Sequence, residues 1–589
     1  MSRSIFSRLF PRRAAKKPGP PGGDGRDSYN GVAFSDEGLK NKRISKSLSV
    51  NLAYLTENFG NNTDFAIKEF RLGFGSKPKA ALVYLTTMVD AQRISESILK
   101  SLMLESRMAQ VDRPLDNLLQ VTLESTLTVA ESHAKVDNML GIFSEILYGG
   151  IALFVDGYEE AIIILMKAWP QRGVEKSDVE SVVRGPKESF NETFSVNISL
   201  IRRRLRSPNL VIEQHNLGRM THTSVAVAYM KGVTSPELIR EVKQRLGRID
   251  IDGILESGYI EEFIQDDPYT PFPQIIYTER PDRVVAALLQ GRVCIFTDGT
   301  PMVLFLPAVF SDLVQSPEDY YERYLFASAT RLLRFSSLLV ALLLPSFYIS
   351  VTTFHQEMIP TQLLISIAAS REGVPFPALV EAMIMEITFE ALREAGLRLP
   401  RAVGPAVSIV GGLVIGQAAV QAGIVSPLMV IVVAVTGIAS FMNPSYNLAL
   451  AIRLIRFPLM ILAATLGLFG VMTGVLAMLI HLAGLRSFGV PYLSPMAPLK
   501  PSDWKDFMIR APWWDMHKRP SELVKENKRR IGRDLKPHAP SGDSRGGSGP
   551  PGGGSPGAVG GEKKAGGQRL RKKTALGQTK GGEGSGKGP

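Results

Sequence analysis

Four long apolar runs occupy the second half of this 589-residue chain. They cover residues 335–354, 403–424, 427–450 and 457–482. Each run has about 20 residues or more, which is enough for a helix to cross a hydrocarbon core of about 30 Å. The runs therefore predict an α-helical transmembrane domain of about four spans, within residues 326–490.

The segment between the first two runs carries acids, arginines and prolines. A helix is predicted over 378–393, where Glu386, Glu390 and Glu394 lie four residues apart on one face and Arg393 falls in the same sector. Charge beside or inside a membrane is costly, so it marks function by default. The helix is either an amphipathic or re-entrant segment at the membrane surface, or an acidic face that lines a cation path. That face becomes a ring only in an oligomer.

The predicted transmembrane domain also contains small and polar residues at regular positions. The second run has a stripe at four-residue spacing, which consists of Gly404, Ser408, Gly412 and Gly416. Such stripes let two helices approach closely in lipid, so we expect a helix-packing surface. The other candidates for an ion path are Gln417, Gln421 and Asn443. Pro444 follows Asn443 directly and predicts a kink, which is either static or a hinge in a gate.

Before the apolar runs, one nine-residue pattern occurs twice, over 149–157 and over 291–299. Each copy starts with glycine, continues as an apolar run, ends on Asp-Gly and is followed by a second apolar run. Two apolar runs around an Asp-Gly turn indicate a β-hairpin. We therefore predict an α+β membrane protein with two small α/β lobes, over 36–172 and 173–325, that precede the helices.

These lobes carry no recognisable catalytic apparatus. A helix is predicted over 135–146, and the three consecutive arginines 202–204 are expected on an exposed helix face. The seven histidines lack metal-ligand spacing, and no phosphate-binding glycine loop or nucleophile–base constellation stands out. We predict no enzyme, metal or cofactor. Cys294, the only cysteine, excludes an internal disulfide and is expected in a core.

The net charge of +12 belongs to the two ends of the chain. Residues 518–589 hold 17 Lys and Arg against 6 Asp and Glu, and residues 1–27 hold 7 against 2. Because these residues lie outside any folded face, the charge does not favour a nucleic-acid partner. We predict basic disordered tails over 1–35 and 521–589, which are either solvated or in contact with anionic lipid headgroups.

The predicted topology follows from charge and from the start of the chain. The first residues lack the apolar stretch of a secretory signal, so the lobes are expected in the cytoplasm. Basic residues at both ends place both tails on the same side and require an even number of spans. Arg453 and Arg456 then fall on the outer side, which conflicts mildly with the rule that basic residues are enriched on the cytoplasmic side. Residues 491–520 form a predicted juxtamembrane segment.

Several motifs in the helical half carry a family resemblance. They include Ser346-Phe347-Tyr348, the run 354–361, the run Arg371-Glu372-Gly373-Val374-Pro375-Phe376-Pro377 and the runs 389–396 and 398–400. In the soluble half, the matching motifs are 183–188, 200–204, 278–282 and 318–321. Together they resemble the A subunit of the spore germinant receptors, the GerA family. The resemblance covers about residues 36–515, all but the tails. The residues of the family motif are Arg371, Glu372, Gly373, Pro375 and Pro377.

The resemblance implies a receptor in the inner membrane of a dormant bacterial spore. An A subunit would act with a permease-like B subunit, which binds the nutrient, and a lipoprotein C subunit. It would form a homo-oligomeric ion channel that opens when germinant binds. A secondary transporter is the first alternative, although the four runs show no inverted repeat. A scaffold that only docks partners is the second.

Overall fold

The computed structural model describes residues 42–72, 78–100, 102–103, 133–166, 180, 182–399, 404–532 and 535–537. The described residues up to Leu535 belong to one compact unit. The predicted N-terminal tail and the Gly-rich part of the predicted C-terminal tail lie outside the described residues. Val524 is fully buried beside Gly291, so the predicted start of the tail at residue 521 is wrong.

The first lobe, residues 42–166, contains a five-stranded sheet with helices on both faces. Its strands are β1 (Phe65–Arg71), β2 (Lys79–Leu85), β3 (His133–Val136), β4 (Gly150–Val155) and β5 (Ala161–Leu165). Its helices are α1 (Leu48–Phe59), α2 (Ala91–Arg93, continued as a π-helix over Ile94–Leu99) and α3 (Met139–Leu147). The strand order is β1-β2-β4-β5-β3 and every pair is antiparallel. Helices α1 and α3 pack on one face, and α2 packs on the other.

The second lobe, residues 180–321, repeats this sheet. Its strands are β6 (Leu210–Leu217), β7 (Thr223–Met230), β8 (Ile276–Thr278), β9 (Val293–Thr297) and β10 (Val303–Leu306), in the equivalent order β6-β7-β9-β10-β8. Its helices are α4 (Phe194–Arg204), α5 (Pro236–Leu246), α6 (Ser257–Ile264), α7 (Pro281–Leu289), α8 (Phe310–Val314) and α9 (Glu318–Tyr321). These pairs are also antiparallel, so each of the two lobes combines helices with an antiparallel sheet.

The two predicted Asp-Gly hairpins are confirmed as β4–β5 and β9–β10. In each, the glycine after the aspartate has a positive φ, 95° and 86° respectively, which glycine adopts without steric cost. The aspartates also perform equivalent tasks. Asp156 accepts a hydrogen bond from the amide of Leu48 at the start of α1, and Asp298 accepts one from Phe194 at the start of α4.

Two predictions for the lobes are wrong. Residues 135–146 do not form one helix, because Asn138 caps the start of α3 by accepting a hydrogen bond from the amide of Gly141. Arg202 is not exposed but completely buried. It donates to both carboxylate oxygens of Asp64, at 3.1 and 2.8 Å, and to the side chain of Asn62 at 2.7 Å. This arginine therefore joins the two lobes.

The helical domain follows the second lobe. Its helices are α10 (Tyr324–Thr353), α11 (Thr361–Arg371), α12 (Ala378–Arg398), α13 (Gly404–Gln421), α14 (Pro427–Phe441) and α15 (Tyr446–Gly484). Two of them, α10 and α15, are long and apolar enough to cross a membrane by length and composition. The predicted third run ends early, because α14 stops at Phe441 and a new helix starts at Tyr446. Pro444 therefore separates two helices rather than kinking one.

Helix α15 turns back on itself at Gly467, whose φ of 61° and ψ of −144° lie outside the helical region. Past this turn, the second half packs against the first. A Cβ atom on Gly474 would overlap the side chain of Leu459, and one on Gly470 would overlap the carbonyl of Leu462. Glycine at both positions therefore permits close packing. The predicted run over 457–482 contains a turn and is not one helix.

Both legs of this α15 hairpin, residues 446–466 and 468–484, end at the second lobe. The hydroxyl of Tyr277 lies 3.4 Å from the side-chain oxygen of Asn447 in the first turn. Near the end of the second leg, the hydroxyl of Thr270 lies 2.8 Å from Nε2 of His481. A short two-stranded ribbon, β11 (Arg486–Ser487) and β12 (Val490–Pro491), follows the hairpin.

The base of α10 is also fixed to the soluble part. Asp319 accepts hydrogen bonds from Arg331 at 2.9 Å and from Arg334 at 2.8 Å, and all three side chains are buried. Arg331 also donates to Asp506 at 2.9 Å. The first turns of α10 therefore carry charges that are fully paired with the lobe and with the segment after the ribbon.

Candidate functional site

Helix α12 carries the predicted acidic face. Pro375 and Pro377 precede the helix, and proline is tolerated at a helix start because the first amides lack partners anyway. The sequence that follows is rich in Ala, Leu, Met and Glu, which are strong helix formers. The helix ends at Arg398, two residues before Pro400, as expected when a proline disfavours helical backbone at the residue before it. The acids therefore have a regular helical spacing.

Glu386 is fully buried and is paired with an arginine of another helix. Nη1 of Arg456, in the first leg of the α15 hairpin, lies 3.0 Å from both carboxylate oxygens. Arg456 is itself only 2% exposed. Two opposite charges removed from water in this way must stay together, because each alone would be a costly buried ion.

Glu390, one turn further along α12, is surrounded by three arginines. Its Oε2 lies 2.8 Å from Arg393 and 3.5 Å from Arg453, and its Oε1 lies 3.8 Å from Arg456. The Glu386–Arg456 pair and these contacts form one network, which we call the α12–α15 charge network. With two acids and three arginines, it does not present a free acidic face in this conformation.

Glu394 does not belong to this network. Its side chain is half exposed and accepts hydrogen bonds from Arg398, one turn later, at 2.7 and 2.9 Å. The predicted acidic face is therefore divided. Glu386 is buried and Glu390 is partly buried against α15, and the third acid lies at the exposed end of the helix.

Several polar atoms of the network have no hydrogen-bond partner among the described residues. They include Nε of Arg393, Arg453 and Arg456, and one carboxylate oxygen on each of Glu386 and Glu390. Buried polar atoms in proteins are normally satisfied by protein groups or by water. These atoms of the network can therefore form hydrogen bonds with water or with a further polar group.

A second buried acid on α12, Glu381, was not among the predicted residues. Its Oε1 lies 3.2 Å from Arg371, and its Oε2 accepts hydrogen bonds from the amide and hydroxyl of Ser426. Ser426 is the residue before α14, so Glu381 connects the start of α12 to the start of α14. Within the family motif, Arg371 thus has a buried partner, whereas Glu372, Gly373, Pro375 and Pro377 are exposed.

The remaining predicted residues are placed elsewhere. Gln417 and Gln421 are exposed on α13, and Asn443 lies half-buried between α14 and α15. Among the described residues, no hydrogen bond or ion pair connects these three to the charge network. On the glycine stripe, a Cβ atom added to Gly412 would meet no described residue within 4 Å, and one added to Gly416 would lie 3.5 Å from Cγ1 of Val430. The side-chain surroundings of Gly404 and Ser408 lie outside the described residues.

Sequence reasoning missed Arg453 and Arg456 as partners of the acids. They are three residues apart in an apolar helix, and Glu386 and Glu390 are four residues apart in another. Matching pairs of opposite charge on two apolar helices were a usable signal, because neither pair could be buried alone.

Two titrating groups lie where the second lobe meets the helical domain. Burial, together with the nearby carboxylate of Glu256, raises the pKa of Glu261 on α6 to about 7. Burial, together with Glu261, raises the pKa of Tyr277 to about 12. Tyr277 is the residue that contacts Asn447, so this corner of the lobe is close to the start of α15.

The two-lobed fold and the charged helical domain define a class of protein that comparisons identify. The family model for the Bacillus/Clostridium GerA spore germination protein matches residues 53–522. The chain is 47% identical to spore germination protein KA of Bacillus subtilis strain 168 over 494 residues, which cover 84% of this chain and 90% of that protein. It belongs to the GerA family of spore germination proteins.

Two further relatives are informative. The chain is 45% identical over 491 residues to a Bacillus subtilis strain 168 protein named "Uncharacterized membrane protein YfkQ", which covers 83% of this chain and 94% of that protein. It also matches the crystal structure of the N-terminal domain of the A subunit of the Bacillus megaterium spore germinant receptor GerK3. That match has 34% identity and a TM-score of 0.37, and it covers 46% of this chain and 98% of that one.

Proposed function

We propose that this chain is the A subunit of a nutrient germinant receptor, in which the helical domain forms an ion path through a membrane. The α12–α15 charge network carries this proposal. Charges buried between apolar helices are costly, and in membrane proteins they commonly mark ion pathways. This network also contains buried polar atoms without a hydrogen-bond partner among the described residues. The permease-like B subunit and the lipoprotein C subunit are the proposed partners, and binding of germinant to the B subunit is the proposed trigger.

The proposed gate is the contact between α12 and α15. In the described conformation the arginines of α15 neutralise Glu386 and Glu390, so the acids cannot attract a cation. Movement of α12 away from the hairpin would separate the pairs and present the acids to water. An acidic ring in an oligomer then selects cations. The closed state is the one in which each acid is paired within its own chain.

The proposed oligomer contact is the glycine stripe of α13. A Cβ atom on Gly412 would meet nothing within 4 Å in the part of the chain that the structure describes, which leaves this part of the helix open to a second copy. Gly412→Leu would prevent a close approach of two helices. We expect it to reduce the oligomer while leaving the fold of a single chain intact. An unchanged oligomer would place the contact elsewhere.

Ion flux through the purified subunit, reconstituted with and without its partners, tests the proposal. Glu390→Gln keeps the shape of the side chain and removes its charge, so cation conductance and the germination response should fall. Glu394→Gln is the matched control, because this acid lies on the same helix outside the network. Normal conductance in Glu390→Gln, with normal cation selectivity, would contradict the ion path. Substrate-coupled uptake would indicate a transporter, and an absence of flux even with partners would indicate a scaffold.

A further inference from the structure

A cavity of about 270 Å³ lies in the soluble part, away from the charge network. Its walls come from α7, β10 and α9 of the second lobe and from the segment 512–530 that follows the helical domain. Ligand sites in proteins are concave, mostly apolar and equipped with a few polar groups that orient the ligand. The lining of this cavity has that character.

Four aromatic side chains line the cavity, and those of Phe305, Tyr320 and Trp513 give it flat walls. Phe305 of β10 is almost fully buried. The rings of Tyr320 and Trp513 have centroids 5.8 Å apart, at an angle of 45°. Nε1 of Trp513 lies 3.3 Å from the carbonyl oxygen of Tyr320 and donates to it, which fixes the indole in place. The walls therefore suit a planar group.

The charged residues of the lining are paired, with one exception. Asp312 accepts hydrogen bonds from Arg292 at 2.7 and 2.8 Å. Asp282 is paired with Arg280 at 2.8 Å, and Arg283 is paired with Glu180. These pairs contribute no net charge to the cavity.

The exception is Arg530. Its guanidinium carbon lies 5.0 Å from the ring centroid of Trp513, and no ion pair to it occurs among the described residues. Arg530 and Gln290 also line a second cavity that adjoins the first, so both lie at the junction of the two. Within the part of the chain that the structure describes, the lining therefore has one cation without an ion pair, and it lies next to the amide of Gln290 at one end of an aromatic slot.

We propose that this cavity binds a small planar anion, such as an aromatic carboxylate. Arg530 and Gln290 hold the carboxylate, and the ring lies along Trp513 and Phe305. Guanidinium groups bind carboxylates through charge-assisted hydrogen bonds, and aromatic walls add stacking. The ligand would join the segment 512–530 to the second lobe.

Such a site would communicate with the helical domain through Tyr320. The hydroxyl of Tyr320 donates to Asp506 at 2.9 Å, and its ring lies 5.3 Å from the guanidinium carbon of Arg331 at the base of α10. A ligand packed against Tyr320 therefore contacts the group of residues that fixes α10 to the soluble part.

Binding of isotope-labelled benzoate to the full chain in detergent, measured by equilibrium dialysis, tests the proposal. We expect saturable binding at one site per chain. Benzamide, which has the aromatic ring but no charge, and acetate, which has the carboxylate but no ring, should each compete poorly. Arg530→Gln should weaken binding about tenfold, as expected for loss of a charged hydrogen bond. Arg529→Gln, which removes the adjacent exposed arginine, should leave the affinity unchanged.

Three results would overturn the proposal. They are an absence of saturable benzoate binding, equal loss of affinity in both arginine variants, and competition by acetate as strong as that by benzoate. Arg530→Lys provides a second variant in case Arg530→Gln does not fold. It keeps the charge but loses the planar fork, so it should bind benzoate more weakly than the natural chain and more strongly than a folded Arg530→Gln chain.

Discussion

The side chains of Glu386 in α12 and Arg456 in α15 are both buried, and their charged groups lie 3.0 Å apart. Removing one partner leaves the other as an uncompensated buried charge, which costs about 3–5 kcal/mol. We expect Glu386→Gln and Arg456→Gln each to lower the thermal stability of the purified chain clearly.

The double variant Glu386→Leu with Arg456→Met separates this explanation from simple loss of packing. Replacement of a buried pair by apolar residues of similar volume is often neutral. The double variant should therefore be more stable than either single one. A double variant less stable than both single variants would show that the loss of stability does not come mainly from an unpaired buried charge.

The contact between the two lobes depends on Arg202 and Asp64. Asp64→Asn removes the charge that Arg202 requires and should reduce the free energy of unfolding of the lobes by about 3–5 kcal/mol. Limited proteolysis and thermal melting of the purified chain measure this. Asp250→Asn, which breaks the fully exposed pair with Arg219, is the control and should cause no measurable change. Equal effects in the two variants would contradict a structural role for the buried pair.

The turn at Gly467 should tolerate no side chain. At a φ of 61°, a Cβ would also lie 2.8 Å from Cε1 of His355. Gly467→Ala should therefore destabilise the hairpin by about 1–3 kcal/mol from backbone strain alone, with the steric overlap added. Chain abundance in membranes and thermal melting report the effect. Gly484→Ala, at the open end of the same helix, should behave like the natural chain, and equal loss in both variants would contradict the turn.

Cysteine labelling tests the orientation of the helical domain. Cys294 is buried, so new cysteines at exposed positions give a clean signal. Glu357 follows α10, whose 30 residues form a helix about 45 Å long that begins beside the second lobe. Met220 is 81% exposed on that lobe. An impermeant reagent should label Glu357→Cys from outside intact cells and Met220→Cys only after permeabilisation. Labelling of both from the same side would exclude a crossing by α10.

The raised pKa of Glu261, about 7 against a usual 4.5, predicts a dependence of stability on pH. Between these values the folded chain retains a proton that the unfolded chain has released. Stability should therefore fall as pH rises through this window. Glu261→Gln should flatten the fall, as measured by melting temperature between pH 4.5 and 7. Glu262→Gln, the exposed neighbour, should keep the natural slope, and an unchanged slope in Glu261→Gln would exclude this carboxyl as its source.

Local patterns predicted the hairpins and the helix over 378–393, because turn chemistry and side-chain period act over a few residues. The same patterns could not show that Asp156 and Asp298 each bind the start of a helix more than 100 residues away. Arg202 was predicted to be exposed for the same reason, since its buried partner is 138 residues distant.

The candidate site shows the same limit. The sequence correctly predicted that Glu386 and Glu390 lie on one face of a helix. It did not predict the arginines around them, because the hydropathy pattern indicated a single membrane span over 457–482 rather than a hairpin. The non-helical glycine at position 467 is one of several glycines in that run, and composition alone does not distinguish a turn from close packing. The motifs in the sequence were enough to identify the family, whereas the pairing of α12 with α15 is visible only in the three-dimensional structure.

Both legs of the α15 hairpin are fastened to the second lobe, through Asn447 and His481, and its turn at Gly467 touches His355 after α10. Because both legs are attached to the lobe, the lobe and the hairpin are expected to move together as one rigid body. Each leg is about 25–30 Å long, so a tilt of the lobe by about 5° displaces the far turn by about 2.5 Å. That displacement is comparable to the distance between the charged groups of an ion pair. A small rotation of the soluble part can therefore break one set of side-chain contacts at the opposite end of the helices and allow another to form.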